Sequence, residues 1–279
     1  MKVLVTGVSG QLGFDVVREL LSRGVAAKGV GIEDFSLTDF AAMRRFVEDY
    51  QPTAIIHCAA YTAVDKAEDE PELCREVNAA ATGELARLAK EIGAKLLYIS
   101  TDYVFPGTGE DFYEPADEKA PCNVYGESKL LGEEAAQKAL EELFIVRISW
   151  VFGENGKNFI KTMLRLAETH EELSVVGDQI GSPTYTRDLA VLLADMIATQ
   201  KYGVYHATNE GVCSWAELAK EALRCAGKTT RVKAIKTEEY PTKAKRPKNS
   251  RLSKKCLDDA GFSRLPDWRD AVARYVELI

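Results

Sequence analysis

The sequence predicts an α/β protein, a doubly wound parallel sheet followed by a smaller α+β part. Three observations carry that prediction. Short apolar runs alternate with amphipathic helical stretches from Lys2 to Ile148, the rhythm of βαβ units. The first run breaks at once into a glycine-rich turn, Gly7-Val-Ser-Gly10-Gln-Leu-Gly13, that opens a helix. Past Trp150 the rhythm loosens into shorter mixed elements, with no repeat and no low-complexity linker between the two parts.

The first strand spans residues 2–6, and the helix behind the glycine turn runs to about Gly24. Glycines let the backbone approach a pyrophosphate closely, and a helix N-terminus offers it unpaired N–H groups. The fold is therefore of the Rossmann type, although the spacing is Gly-x-x-Gly-x-x-Gly rather than Gly-x-Gly-x-x-Gly. A second strand at residues 25–30 ends in Gly29-Val-Gly31, where an acid would read an NAD ribose or a base an NADP phosphate. Glu33 and Asp34 come slightly late and Lys28 is a strand residue, so NADPH and NADH both remain open. A helix at 39–50, a strand at 54–59, a long helix at 71–92 and a strand at 95–100 follow. His57 and Cys58, as strand neighbours, face opposite ways, which favours packing over a catalytic pair. Asn78, inside the long helix, is a surface polar residue unless it bonds to a bulge or a water.

Thr101 stands where the fourth strand leaves the sheet, the side on which open α/β sheets bind ligands. Thr101 and Asp102 either open a turn or hold a substrate carbonyl. An acidic loop at 110–119 reads as solvated. The helix at 124–140 carries Tyr125 and Lys129, whose i,i+4 spacing puts both on one face. A phenol titrates near ~10, and an ammonium ~4 Å away in an effective dielectric of ~20 favours the phenolate by on the order of 4 kcal/mol. Such a pair makes a general acid. Further strands are expected at 144–148, 173–176 and 204–206, with helices at 158–167 and 187–198. Ser214-Trp-Ala-Glu217 is a capping box opening a helix to about Cys225, and Asp267 caps a terminal helix.

Bulk properties exclude several classes. A formal charge of −7 over 279 residues argues against a general nucleic-acid binder. Six cysteines without Cys-x-x-Cys spacing and no basic-apolar leader suggest reduced thiols in a cytoplasmic protein. Three histidines, none four apart, predict no metal site, and no apolar run reaches the ~20 residues of a membrane span. Residues 240–256 hold seven basic side chains and no acid, within which Arg246 or Arg251 is expected to meet a diphosphate.

Three motifs, Thr6-Gly-x-x-Gly-x-x-Gly13, Ser100-Thr-Asp-Tyr-Val-Phe105 and Tyr125-x-x-x-Lys129, resemble the extended short-chain dehydrogenase/reductase family. Longer blocks are similar to its dTDP-4-dehydrorhamnose reductases: Ala59-Ala-Tyr-Thr-Ala-Val-Asp-Lys-Ala-Glu68, Asn123-Val-Tyr-Gly-Glu-Ser-Lys129, Arg147-Ile-Ser-Trp-Val-Phe-Gly153, Asp178-Gln-Ile-Gly-Ser-Pro-Thr184 and Arg246-Pro-Lys-Asn-Ser-Arg-Leu252. The resemblance implies reduction of the 4-keto group of a dTDP-linked 6-deoxyhexose by NADPH or NADH. It implies that Tyr125 donates the proton, Lys129 holds the nicotinamide ribose and lowers the phenol, and Thr101 bonds the ketone. Asp102 and Trp150 would meet the sugar. Gly7, Gly10, Gln11, Leu12 and Gly13 would cradle the pyrophosphate, with Ala59, Ala60 and Tyr61 beside the dinucleotide. Residues 1–150, joined by about 184–206, would then form the dinucleotide-binding domain, and 151–279 mainly the substrate domain. The expected partner is a nucleotide sugar, with a homodimer left open and no nucleic acid or membrane. Two other readings are a nucleotide-sugar epimerase and a non-catalytic regulator like the methionine adenosyltransferase β subunit; a regulator has no need of the proton donor.

Overall fold

The computed structural model describes residues 1–279. Six parallel strands form the central sheet in the spatial order β10-β5-β4-β3-β1-β2. They are β1 (Lys2–Thr6), β2 (Ala26–Val30), β3 (Ala54–His57), β4 (Lys95–Thr101), β5 (Leu143–Ile148) and β10 (Gly203–His206). Alternation along each strand sorts the core into two layers. Val3, Val5, Ile56, Leu97 and Val146 pack with α1 (Gln11–Ser22) and α8 (Thr186–Ile197). Leu4, Ile55, Leu96, Tyr98 and Ile145 face the opposite way, against α2 (Phe40–Tyr50), α5 (Ala81–Glu91) and α6 (Val124–Ala139). Strands covered on both faces read as the unbroken apolar runs seen in the sequence.

The chain leaves β1 towards β2 and returns to β3 on the other side of β1. That reversal opens a crevice above the carboxyl ends of β1 and β3, the usual ligand position in such sheets.

The helix expected at 71–92 is interrupted. After the short α3 (Val64–Ala67), α4 (Pro71–Arg75) and α5 are joined by a π-helical turn, Glu76–Ala80. Asn78 occupies that turn and is buried. Its Oδ1 accepts from Tyr61 N at 2.8 Å, and its Nδ2 donates to Tyr61 O at 3.1 Å and to Ser128 Oγ at 2.9 Å. It is thus a rivet between the loop after β3 and the Tyr125–Lys129 helix, not a surface residue. His57 is buried packing: Thr6 Oγ1 and Thr82 Oγ1 lie 2.7 and 3.3 Å from its two nitrogens, and it stacks on Tyr98.

The later chain builds three small sheets: β6 (Val151–Phe152) with β9 (Thr184–Tyr185), β7 (Glu172–Val176) with β12 (Arg231–Ile235), and β8 (Ile180–Gly181) between β11 (Cys213–Ser214) and β13 (Asn249–Ser250). Packed with them are α7 (Phe159–Leu166), α9 (Trp215–Cys225) and α11 (Trp268–Val276); α10 (Lys255–Ala260) packs on β10. Six of these strands and α10 have no expectation in the sequence reading. Two-residue pairings fall below any periodic signal, and β12 is an edge strand, largely exposed. The capping box at Ser214 and Glu217 forms as its spacing predicts.

Candidate active site

Gly7 adopts φ +75° directly after β1, and a Cβ there would sit 2.7 Å from Ala59 N. A Cβ on Gly13 would meet Gly7 O at 2.3 Å. Glycine is therefore required at both positions for the turn to close against the loop after β3. Gly10 precedes α1 without a side-chain cap, which leaves the helix N-terminal N–H groups facing the crevice. The result is a cradle for a pyrophosphate.

This cradle is the middle of a cleft of about 790 Å³. Gly31, Ile32, Phe35 and Ser36 line one end; Ser100, Thr101, Asp102, Tyr125 and Lys129 line the other. The volume lies within the ~300–1,000 Å³ typical of small-molecule sites. Ala59 and Ala60 form the floor, where small side chains leave room. Tyr61 does not reach the wall: its backbone is held by Asn78, and its hydroxyl donates to Glu70 at 2.8 Å. The glycine turn, the uncapped helix and the small floor together fit a dinucleotide.

At the chemical end, Asn123 caps α6, its Oδ1 accepting from Gly126 N at 2.8 Å. Gly126 and Gly132 are pressed so close to Tyr103 O and Asn78 O that a Cβ would lie 2.3 Å away. α6 is thereby fixed in position. Burial, then the Asp102 charge, pushes the Tyr125 phenol up, and the nearby Thr101 hydroxyl acts the other way. Lys129 Nζ donates to Ile99 O at 2.7 Å and lies 4.0 Å from the centre of the Tyr98 ring. Burial pushes its ammonium down to about 7. The leading influences on the phenol are thus burial and Asp102, with Lys129 not among them.

Thr101 Oγ1 donates to Asp102 Oδ1 at 2.9 Å, while the buried Asp102 Oδ2 and Ser100 Oγ have no partner. Burial pushes Asp102 up to about 6, with the nearby Ser250 and Thr101 hydroxyls acting the other way. A buried carboxylate oxygen left open beside a cleft is a site for a hydroxyl donor.

Trp150 adopts φ 50°, a strained conformation for a large side chain worth roughly 1–3 kcal/mol. It stacks on Trp215, ring centres 3.9 Å apart at 17°, and both line the cleft. Of the two arginines, Arg246 lines the cleft, held by Asp65 Oδ2 at 2.8 Å and by Tyr103 Oη at 3.4 Å. Arg251 does not; it donates to Asn249 Oδ1 at 2.9 Å, and its carbonyl accepts from Tyr113 N. Lys28 is exposed above the Phe46 ring, outside the cleft, while Asp34 accepts from Gly31 N at 2.9 Å. Trp215 and Tyr103 were missed by sequence reasoning. The capping box located Trp215 on a helix but not what it faces.

The profile of the RmlD substrate binding domain matches residues 1–279. An Escherichia coli K12 dTDP-4-dehydrorhamnose reductase is 41% identical over 289 residues, covering 98% of this chain and 96% of that protein. The chain belongs to the dTDP-4-dehydrorhamnose reductase family. A Bacillus subtilis relative of the family, spore coat polysaccharide biosynthesis protein SpsK, is 40% identical over 99% of this chain and 97% of its own. The Bacillus anthracis reductase of this family, solved in complex with NADP, superposes with TM-score 0.97 at 41% identity, covering 100% of both chains. A Thermus thermophilus UDP-glucose 4-epimerase, 21% identical with TM-score 0.84 over 99% of this chain and 98% of that one, shares the fold.

Proposed function

We propose that the protein reduces the 4-keto group of dTDP-4-dehydro-6-deoxy-L-mannose, giving dTDP-L-rhamnose, with NADPH or NADH. The observation that carries this is the convergence of Thr101, Asp102, Tyr125 and Lys129 on one end of a cleft centred on the Gly7–Gly13 cradle, in a chain of this family. Residues 1–150 with about 184–206 hold the dinucleotide, and the rest mainly shapes the sugar-nucleotide end. The dinucleotide supplies hydride to the carbonyl carbon. Thr101, its hydroxyl turned from Asp102 Oδ1, donates to the ketone oxygen, Tyr125 gives that oxygen its proton, and Lys129 bonds the ribose hydroxyls. Trp150, backed by Trp215, forms an apolar wall for the sugar, and Arg246 faces the diphosphate.

The deciding measurement is loss of nicotinamide absorbance when purified protein meets the dTDP-4-keto-6-deoxyhexose pool made by a dehydratase and an epimerase, run separately with NADPH and NADH. Consumption that requires the epimerase is the expected result. Dinucleotide binding without net oxidation would contradict it and favour an epimerase or a regulator.

Asp102 supplies a pH test. With Oδ2 accepting from a sugar hydroxyl, kcat/KM is expected to fall as pH drops through about 6, where the carboxylate takes a proton. Asp102→Asn removes that acid limb and, at higher pH, lowers kcat/KM roughly 10–100-fold, the worth of a hydrogen bond to a charged group. An unchanged acid limb in the variant would remove Asp102 from this role.

A further inference from the structure

Glu133 lies one turn beyond Lys129 on α6, an i,i+4 spacing that puts both on one face. Its carboxylate is buried and grips the equally buried Arg147 of β5 as a fork, Nε to Oε1 at 2.9 Å and Nη2 to Oε2 at 2.7 Å. Arg147 Nη1 donates to Pro115 O at 2.9 Å and lies 3.4 Å from Nε2 of buried His206. None of these three side chains lines the cleft. Stability alone is a weak reason for such a pair, because removing two ions from water offsets much of their attraction.

We propose that Glu133, locked in place by Arg147, is a positioning residue that keeps the Lys129 ammonium charged at the dry end of the cleft. This rests on the reductase reading, in which Lys129 holds the dinucleotide ribose. The surroundings of Lys129 leave few alternatives. From β4 it meets the Ile99 carbonyl and the Tyr98 ring, neither of them an anion at neutral pH. From the end of β3 come His57, which burial drives down to about 3, and Cys58, which burial drives up to about 12. Cys74 of α4 is likewise raised by burial. All three are uncharged at neutral pH, and Glu133 is the one carboxylate acting on Lys129, in the sense opposite to burial. Facing Glu133 in turn are Arg147, Lys119 and Tyr98. One dry ammonium thus depends on one fixed carboxylate.

The experiment follows NADH affinity against pH by fluorescence titration; NADH avoids the NADP phosphate, which itself titrates near ~6. Wild-type affinity is expected to fall as pH rises through about 7, where Lys129 loses its proton. Glu133→Gln alone strands a buried guanidinium and threatens the fold. The deciding variant is therefore Glu133→Gln/Arg147→Met, which removes both charges at similar volume. Its midpoint is expected about one pH unit lower, with wild-type affinity recovered on the acid side. Arg147→Met alone strands the buried carboxylate in the same way, so the paired change is the one that decides.

An affinity reduced equally at every pH, with the midpoint unmoved, overturns the proposal and leaves the pair a purely structural clamp. Failure of the double variant to fold, read by circular dichroism, overturns it too, since the pair then serves the fold. A wild type that neither binds NADH nor oxidises NADPH sinks the reductase reading itself; one that does both with an unmoved variant midpoint sinks only the role of Glu133.

Discussion

Tyr125→Phe is expected to lower the rate of ketone reduction by roughly 10²–10⁴-fold, the usual worth of a general acid, while dinucleotide affinity stays near that of the wild type. The phenol is buried and pushed above its ordinary value by burial and by Asp102, so at neutral pH it carries its proton. That is the state a donor needs. Phenylalanine keeps the ring and so its edge-on contact with Tyr103, centroids 5.6 Å apart, and leaves the Asn123 cap of α6 untouched. The loss therefore reports the hydroxyl rather than the helix. Single-turnover absorbance with the keto sugar separates chemistry from product release. A variant retaining more than about a tenth of the wild-type rate would take the proton donation away from Tyr125.

The sheet was legible because its strands are covered on both faces. Leu4, Ile55, Leu96 and Ile145 must be apolar on one side and Val3, Val5, Ile56 and Val146 on the other, so apolar runs mark the strands directly. The cradle was legible for a similar reason: Gly7 and Gly13 stand where any Cβ would strike backbone. What escaped depends on contacts far apart in sequence. Trp215 comes to the cleft only because it stacks on Trp150, sixty-five positions earlier, whose αL backbone no pattern announces. Asn78 stayed open between the surface and a bulge because the π-helical turn that rotates it inward has no sequence period of its own. Arg246 and Arg251 were equal in the sequence, and only the fold puts one at Asp65 and Tyr103 and ties the other to Asn249. Tyr61 was placed beside the dinucleotide by resemblance, yet its hydroxyl goes to Glu70. Side-chain direction in an irregular loop is decided by partners, and those were out of view.

Lys129→Met is expected to weaken dinucleotide binding roughly 10–100-fold, the worth of charge-assisted hydrogen bonds to the ribose, and to slow reduction as well, because the ammonium's field is lost from the reacting end. The same change is expected to stabilise the free protein, and the sign follows from linkage. Burial holds the folded-state value of Lys129 at about 7, well below that of an unfolded lysine. Between those two values the unfolded chain binds more protons than the folded one, so wild-type stability rises with pH there. The penalty for the buried ammonium is fully present below about 7 and fades as pH rises towards ~10.4. Methionine carries no such penalty, though it leaves Ile99 O without its donor. The variant's advantage in urea midpoint should thus be larger at pH ~6.5 than at pH ~9. Weaker binding combined with a more stable fold would mark Lys129 as a residue held against its own solvation for the sake of the dinucleotide. Unchanged affinity would deny it the ribose, and a stability difference independent of pH would mean that its charge is not what burial acts upon.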